Sequence, residues 1–122
     1  MAKTAIPIST SNGRSSIIAD HFGRSELFYI IVDENDPSQD EIVNNRGNHF
    51  GGSITTPEFL VNLGIDTVIS KGMGRKAITA FEESQISVYK SKFDNIEDTL
   101  EEMVKGNLSL LTQPCERSQH HH

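Results

Sequence analysis

Leu27-Phe28-Tyr29-Ile30-Ile31-Val32 is a run of six apolar residues in a 122-residue chain whose hydrophobic content is only 35%. A short run of this kind reads as a strand covered on both faces, and so as central or nearly central in a sheet. We set this strand over residues 27–33. Just before it stands Asp20-His21-Phe22-Gly23-Arg24. This places an imidazole, a permissive backbone and a guanidinium at the mouth of a buried strand. Loops held by rigid strands are where binding side chains concentrate.

Working outward, residues 34–39 contain Asn35-Asp36-Pro37-Ser38, a turn. Glu41-Ile42-Val43-Asn44-Asn45 follows as a third strand, antiparallel to the second, and its polarity and shortness suggest an edge. On the other side, Ala5-Ile6-Pro7-Ile8-Ser9 reads as the first strand. Pro7 has no N–H to give a ladder, which by itself argues for an edge or a bulge. Residues 10–16, with Asn12-Gly13, form a turn-rich loop.

The second half alternates. A loop over 46–53 with three glycines leads to a helix over 56–63, begun by Thr56-Pro57 and stopped by Gly64. Asp66-Thr67-Val68-Ile69-Ser70 is a β-branched strand. After Lys71-Gly72-Met73-Gly74, a helix over 75–84 carries Ala77, Ile78 and Phe81 on one face. Ile86-Ser87-Val88-Tyr89 is a fifth strand. Asn95 caps a third helix with an Ile96, Leu100, Met103 stripe, which Gly106 ends. The order β-β-β-α-β-α-β-α predicts an α/β fold, a mixed five-stranded sheet flanked by three helices with right-handed parallel crossovers in its second half. Residues 1–108 form this domain, and 109–122, containing Cys115 and His120-His121-His122, are expected to be a flexible tail. The terminal histidines read either as native ligands or as a tag remnant.

Composition narrows the function classes. Seventeen acidic against eleven basic residues give a formal charge of −6, which argues against a nucleic-acid binder held by phosphate contacts. No apolar run approaches a membrane span, and residues 1–13 lack a signal-peptide core, so the expected location is cytoplasmic. The single cysteine excludes an internal disulfide and the four thiolates that usually hold an iron–sulfur cluster. Carboxylates do not obviously converge for two-metal catalysis, and no nucleophile stands beside a base, so the chain does not read as an enzyme.

Three groups carry candidate chemistry. His21 is either a metal ligand, with Gly23 allowing close backbone approach and Arg24 neutralising an anion, or a loop histidine hydrogen-bonded to its neighbours. His49, beside Gly51 in the glycine loop, has the same two readings. Gly72-Met73-Gly74-Arg75-Lys76 joins a strand to a helix N-terminus, a place suited to anions, although it matches neither a P-loop nor a dinucleotide fingerprint. Met73 is a soft donor or a packed thioether. Cys115 is a soft donor or an inert thiol.

Taken together, Ala5-Ile6-Pro7-Ile8, Asp20-His21-Phe22-Gly23-Arg24 with Phe28, the glycine–histidine loop, Gly64-Ile65-Asp66-Thr67-Val68-Ile69, Gly72-Met73-Gly74-Arg75-Lys76-Ala77-Ile78 and Ile86-Ser87-Val88-Tyr89 resemble one family. It is the dinitrogenase iron–molybdenum cofactor biosynthesis family, which includes NifX, NafY and the C-terminal part of NifB. The resemblance covers about residues 5–108. It implies a ribonuclease-H-like motif with a central first strand, against the edge reading of Pro7. It implies a non-enzymatic protein that binds or carries an iron–sulfur cluster or an iron–molybdenum cofactor precursor, with cofactor-assembly proteins as partners. The family's H-F-G histidine falls on His21. The glycine–histidine loop falls on Asn48-His49-Phe50-Gly51, where phenylalanine departs from the commoner glycine. Some relatives end in cysteine- and histidine-rich tails, which favours a role for Cys115. The expected cofactor site is therefore His21, Gly23, Arg24, His49, Gly51, Gly72, Met73, Gly74, Arg75 and Lys76, with His21, His49 and Cys115 as metal ligands. Two other readings are a protein-interaction module that binds no metal and an anion- or nucleotide-binding protein using residues 72–76.

Overall fold

A computed structural model describes residues 3–47 and 51–111. Six strands, β1 (Thr4–Ile8), β2 (Leu27–Ile31), β3 (Glu41–Asn44), β4 (Thr67–Ser70), β5 (Ser87–Lys90) and β6 (Ser109–Leu110), form one sheet in the order β3-β2-β1-β4-β5-β6. β2 is antiparallel to β1 and to β3, β4 and β5 run parallel to β1, and β6 returns antiparallel to β5. The expected hairpin half and crossover half are both present. The expected count of five strands is corrected to six. The added strand lies in the segment that the sequence reading assigned to a tail. The Leu111 N–H donates to the Val88 carbonyl at 2.8 Å and the Leu111 side chain is buried, which pins β6 to the sheet.

β1 is central despite Pro7. The β1–β4 ladder pairs only Thr4 with Thr67 and Ala5 with Val68. Beyond it, residues 17–19 take the place of β4: the Ala19 N–H donates to the Pro7 carbonyl and the Ser9 N–H to the Ile17 carbonyl, both at 2.9 Å. Amide and carbonyl of one strand residue point to the same side, so the Pro7 nitrogen faces this irregular stretch and not β2. The edge inference from Pro7 fails because the ladder ends before the missing donor is needed.

Strand alternation divides the core in two. Ala5, Phe28, Ile30, Val68 and Val88 face α1 (Thr56–Asn62) and α2 (Arg75–Glu83) through Leu60, Ile78 and Phe81. Ile6, Ile8, Tyr29, Ile31 and Ile69 face α3 (Ile96–Val104) through Ile96 and Leu100. Burial on both faces is why residues 27–32 read as an unbroken apolar run. Helix α1 starts from a capping box in which Thr55, one residue before the expected cap, and Glu58 serve each other's backbone N–H. Gly64, at φ +84°, terminates it. Asn95 caps α3 through the Asp98 N–H. No helix among the described residues is long and apolar enough to cross a membrane.

Candidate functional site

Because Ile8 pairs with Leu27 and Leu27 with Asn44, the start of β2 and the end of β3 lie at the carboxyl end of β1. The connection from β4 to α2 leaves from the same end. The His21 turn, the glycine loop and the Gly72–Gly74 turn are therefore neighbours at the strand ends, where open α/β sheets bind ligands. The two turns are stapled together. The Phe22 N–H donates to the Gly72 carbonyl at 3.3 Å, and that carbonyl also accepts from the Ser70 hydroxyl at 2.9 Å. Lys71 joins them again, pairing with Asp94 at 2.5 Å and with Asp20 at 3.6 Å. The hydrogen bond to Asp94 holds the Lys71 ammonium above its ordinary titration range.

A cleft of about 290 Å³ opens between the two turns, lined by His21, Phe22, Gly23, Arg24, Gly72, Met73 and Gly74. His21, Gly23, Arg24 and Gly74 are exposed on its rim, while Phe22 and Met73 are buried in its floor. Met73 packs into the core shared with Phe22 and Phe81, so its thioether acts as packing. Nothing in the fold requires glycine at Gly23 or Gly74. A Cβ at either meets no atom within 4 Å, and neither has a positive φ. Bare backbone thus faces the cleft.

Helix α2 starts at this rim with Gly74 as its N-cap and no side chain capping it. Its first two residues, Arg75 and Lys76, are exposed. Free N–H groups and two cations at the positive end of a helix repel one another, and an anion relieves both. Arg75 and Lys76 do not line the cleft, but they crown the helix end that opens onto it. Among the described residues no group of three or more histidine, cysteine, aspartate or glutamate side chains could hold a metal ion. His21 is the one imidazole in those residues, and His49 and Cys115 lie outside them.

Asn45 is a hub that the sequence reading missed. It is buried, its Nδ2 donates to the Ser25 carbonyl at 3.0 Å, and its Oδ1 accepts from the Gly47 N–H at 2.8 Å and the Thr56 hydroxyl at 3.3 Å. It thus ties the end of the His21 turn to the entry of the glycine loop and the start of α1. An asparagine two residues before a glycine is the local signal for such a turn. Gly47 is held tightly here, since a Cβ would lie 2.4 Å from Thr56 Oγ1 and 2.8 Å from its Cα. Gly47→Ala is expected to lower stability by roughly 1–3 kcal/mol in urea titrations. Gly23→Ala, in open space, is expected to stay within about 0.5 kcal/mol of the parent. Gly51, exposed at φ +91°, and Gly52, whose N–H donates to the Gly47 carbonyl at 3.1 Å, close the described part of the loop.

The family model described as dinitrogenase iron–molybdenum cofactor matches residues 2–106. The chain belongs to this family. NifX-like members of the family are carrier or scaffold proteins, not enzymes. The chain is 30% identical over 111 residues to uncharacterized protein MJ0580 of Methanocaldococcus jannaschii, covering 88% of this chain and 90% of that one. The crystal structure of PH0822 superposes with a TM-score of 0.72 at 28% identity, covering 88% of this chain and 95% of that one. The apo orange protein of Desulfovibrio gigas, at 18% identity, shares the fold with a TM-score of 0.77 over 95% of this chain and 98% of that one.

Proposed function

We propose that this chain carries an anionic metallocluster, an iron–sulfur cluster or an iron–molybdenum cofactor precursor, in the cleft between the His21 turn and the Gly72–Gly74 turn, and passes it between cofactor-assembly proteins. The observation that carries this reading is the cleft rim itself. One exposed imidazole, the exposed Arg24 and two glycines that the fold does not need face a space of about 290 Å³ beside an uncapped, doubly basic helix start. Family membership supplies the class of cargo. A cluster that brings its own sulfide ligands needs few protein donors, which suits a site whose described part offers one imidazole. His21 would ligate metal, Arg24, Arg75 and Lys76 would offset charge, and Gly23, Gly72 and Gly74 would let the cluster lie on backbone. His49, Gly51 and Cys115 belong to the same proposal as further contacts. The strand order, three antiparallel strands followed by parallel β4 and β5, supports the ribonuclease-H-like description.

Anaerobic reconstitution with iron and sulfide tests this. The wild type should gain visible absorption, and His21→Ala should lose most of it, by about tenfold or more in retained iron. Gly74→Val should still fold, about 1 kcal/mol less stable because valine is a poor N-cap, yet load poorly, because position 74 lines the cleft. Absence of a chromophore in the wild type would count against the cluster. The uncapped start of α2 favours a second reading, a small anion at the same rim. Millimolar phosphate raising the melting temperature of a protein that takes up no iron would select it.

A further inference from the structure

A second concavity, of about 460 Å³, runs along α3 on the face of the sheet opposite the cleft, between that helix and the turn joining β2 to β3. Its walls carry the exposed carboxylates Glu34, Glu97 and Glu101. Pro37 and Val104 supply its exposed apolar surface, over the buried Leu100. Val104 is 65% exposed, the most exposed of the large apolar side chains among the described residues. Two cations also line the groove, and both are already engaged. Arg14 makes a bidentate pair with Asp40 at 2.7 and 2.9 Å and donates to the carbonyls of Asp33 and Glu34. Lys105 pairs with Glu102 at 3.7 Å. No ion pair among the described residues takes up the carboxylate of Glu34, Glu97 or Glu101.

The helix itself also points to a cationic occupant. The last turn of α3 carries Glu101 and Glu102 and no basic residue, and the C-cap Lys105 pairs with Glu102, leaving Glu101 without an ion pair among the described residues. Carboxylates there sit at the negative end of the helix dipole, an arrangement that costs stability in the free chain and that an incoming cation relieves. We infer that this groove docks a basic amphipathic helix of a protein partner, its apolar face on Pro37 and Val104 and its lysines or arginines on Glu34, Glu97 and Glu101. A second copy of this chain fits less well, because a formal charge of −6 on each copy opposes association there. Groove and cleft lie on opposite faces, so a docked helix leaves the cleft open. The inference does not depend on the cargo.

The test titrates isotopically labelled protein with a synthetic lysine–leucine helix of about 14 residues, long enough for four turns. A peptide of identical composition in scrambled, non-amphipathic order is run in parallel. The amphipathic peptide should shift the amide signals of α3 and of residues 34–36, bind at least about tenfold more tightly than the scrambled one, and weaken as salt rises. The double variant Glu97→Lys/Glu101→Lys should lose about tenfold or more in affinity. Glu83→Lys, a single reversal of charge on α2, should stay within about twofold. Circular dichroism confirms that each variant folds. The inference is overturned if both peptides bind equally, if Glu83→Lys weakens binding as much as the double variant, or if the shifts fall on α2. It is also overturned if the free protein is a dimer that Val104→Asp dissociates, since the occupant is then a second copy.

Discussion

Phe22→Ala lowers the free energy of unfolding by roughly 3–5 kcal/mol. The ring is 2% exposed and sits between two others, its centroid 5.4 Å from that of Phe28 and 5.5 Å from that of Phe81, nearly edge-on to the latter. Phe28 belongs to β2 and Phe81 to α2, so one side chain from the His21 turn joins strand and helix beneath the cleft. Truncation removes the transfer energy of the ring, the edge contact and the support of the turn, and the void cannot collapse against a sheet. Urea titration should show a lower midpoint with an unchanged slope. Phe22→Leu, which keeps most of the volume, should cost roughly 1–1.5 kcal/mol. A loss below about 1 kcal/mol in the alanine variant would mean that the turn is held by its hydrogen bonds and not by its ring.

Arg14→Met is the second large effect, roughly 2–4 kcal/mol. The Asp40 side chain is 5% exposed and that of Arg14 15%, and Tyr29 also donates its hydroxyl to Asp40. Losing the guanidinium leaves a shielded carboxylate with a phenol as its remaining side-chain partner, and it frees the carbonyls of Asp33 and Glu34. The double variant Arg14→Met/Asp40→Leu should recover part of the loss, because it leaves no uncompensated charge. The same network gives an alkaline signature. Burial, with the Asp40 hydrogen bond second, pushes the Tyr29 phenol up to about 12. The unfolded chain releases that proton from about pH 10, while the folded chain holds it. The stability due to the neutral phenol is therefore complete below pH 10 and falls between 10 and 12, by on the order of 2 kcal/mol. Lys71, also raised, loses stability in the same direction, so the alkaline melts of Tyr29→Phe against the parent isolate the phenol.

The sheet's two halves were legible because each carries a local pattern. The buried run over 27–32 alternates between two cores, and the caps at Asn95 and around Thr55 announce their helices. β6 was not legible. Two exposed residues have no period, and what makes them a strand is the distant bond from Leu111 to Val88. Pro7 misled for a related reason: its effect depends on where the neighbouring ladder stops, which only the paired structure shows. The cleft was partly legible, since topology alone brings the His21 and Gly72 turns to one end of the sheet. Its supports were not. Asn45 with Ser25 and Thr56, and Lys71 with Asp20 and Asp94, join residues whose separation in the chain carries no pattern.

The uncapped basic start of α2 and the acidic end of α3 have a consequence for encounter rates. Arg24, Arg46, Lys71, Arg75, Lys76, Lys90 and Lys92 outnumber Asp20, Glu26, Glu58 and Asp94 towards the end of the sheet that holds the cleft, while Asp33, Glu34, Asp66, Glu82, Glu83, Glu101 and Glu102 outnumber Lys3, Arg14 and Lys105 towards the other. A chain with a net charge of −6 repels anions from afar, yet within about a Debye length of 10 Å at 0.1 M salt it turns its cationic end towards them. The proposed anionic cargo and the inferred cationic partner would thus be drawn to opposite ends of the sheet. The forward rate of each falls with added salt while its dissociation rate changes little.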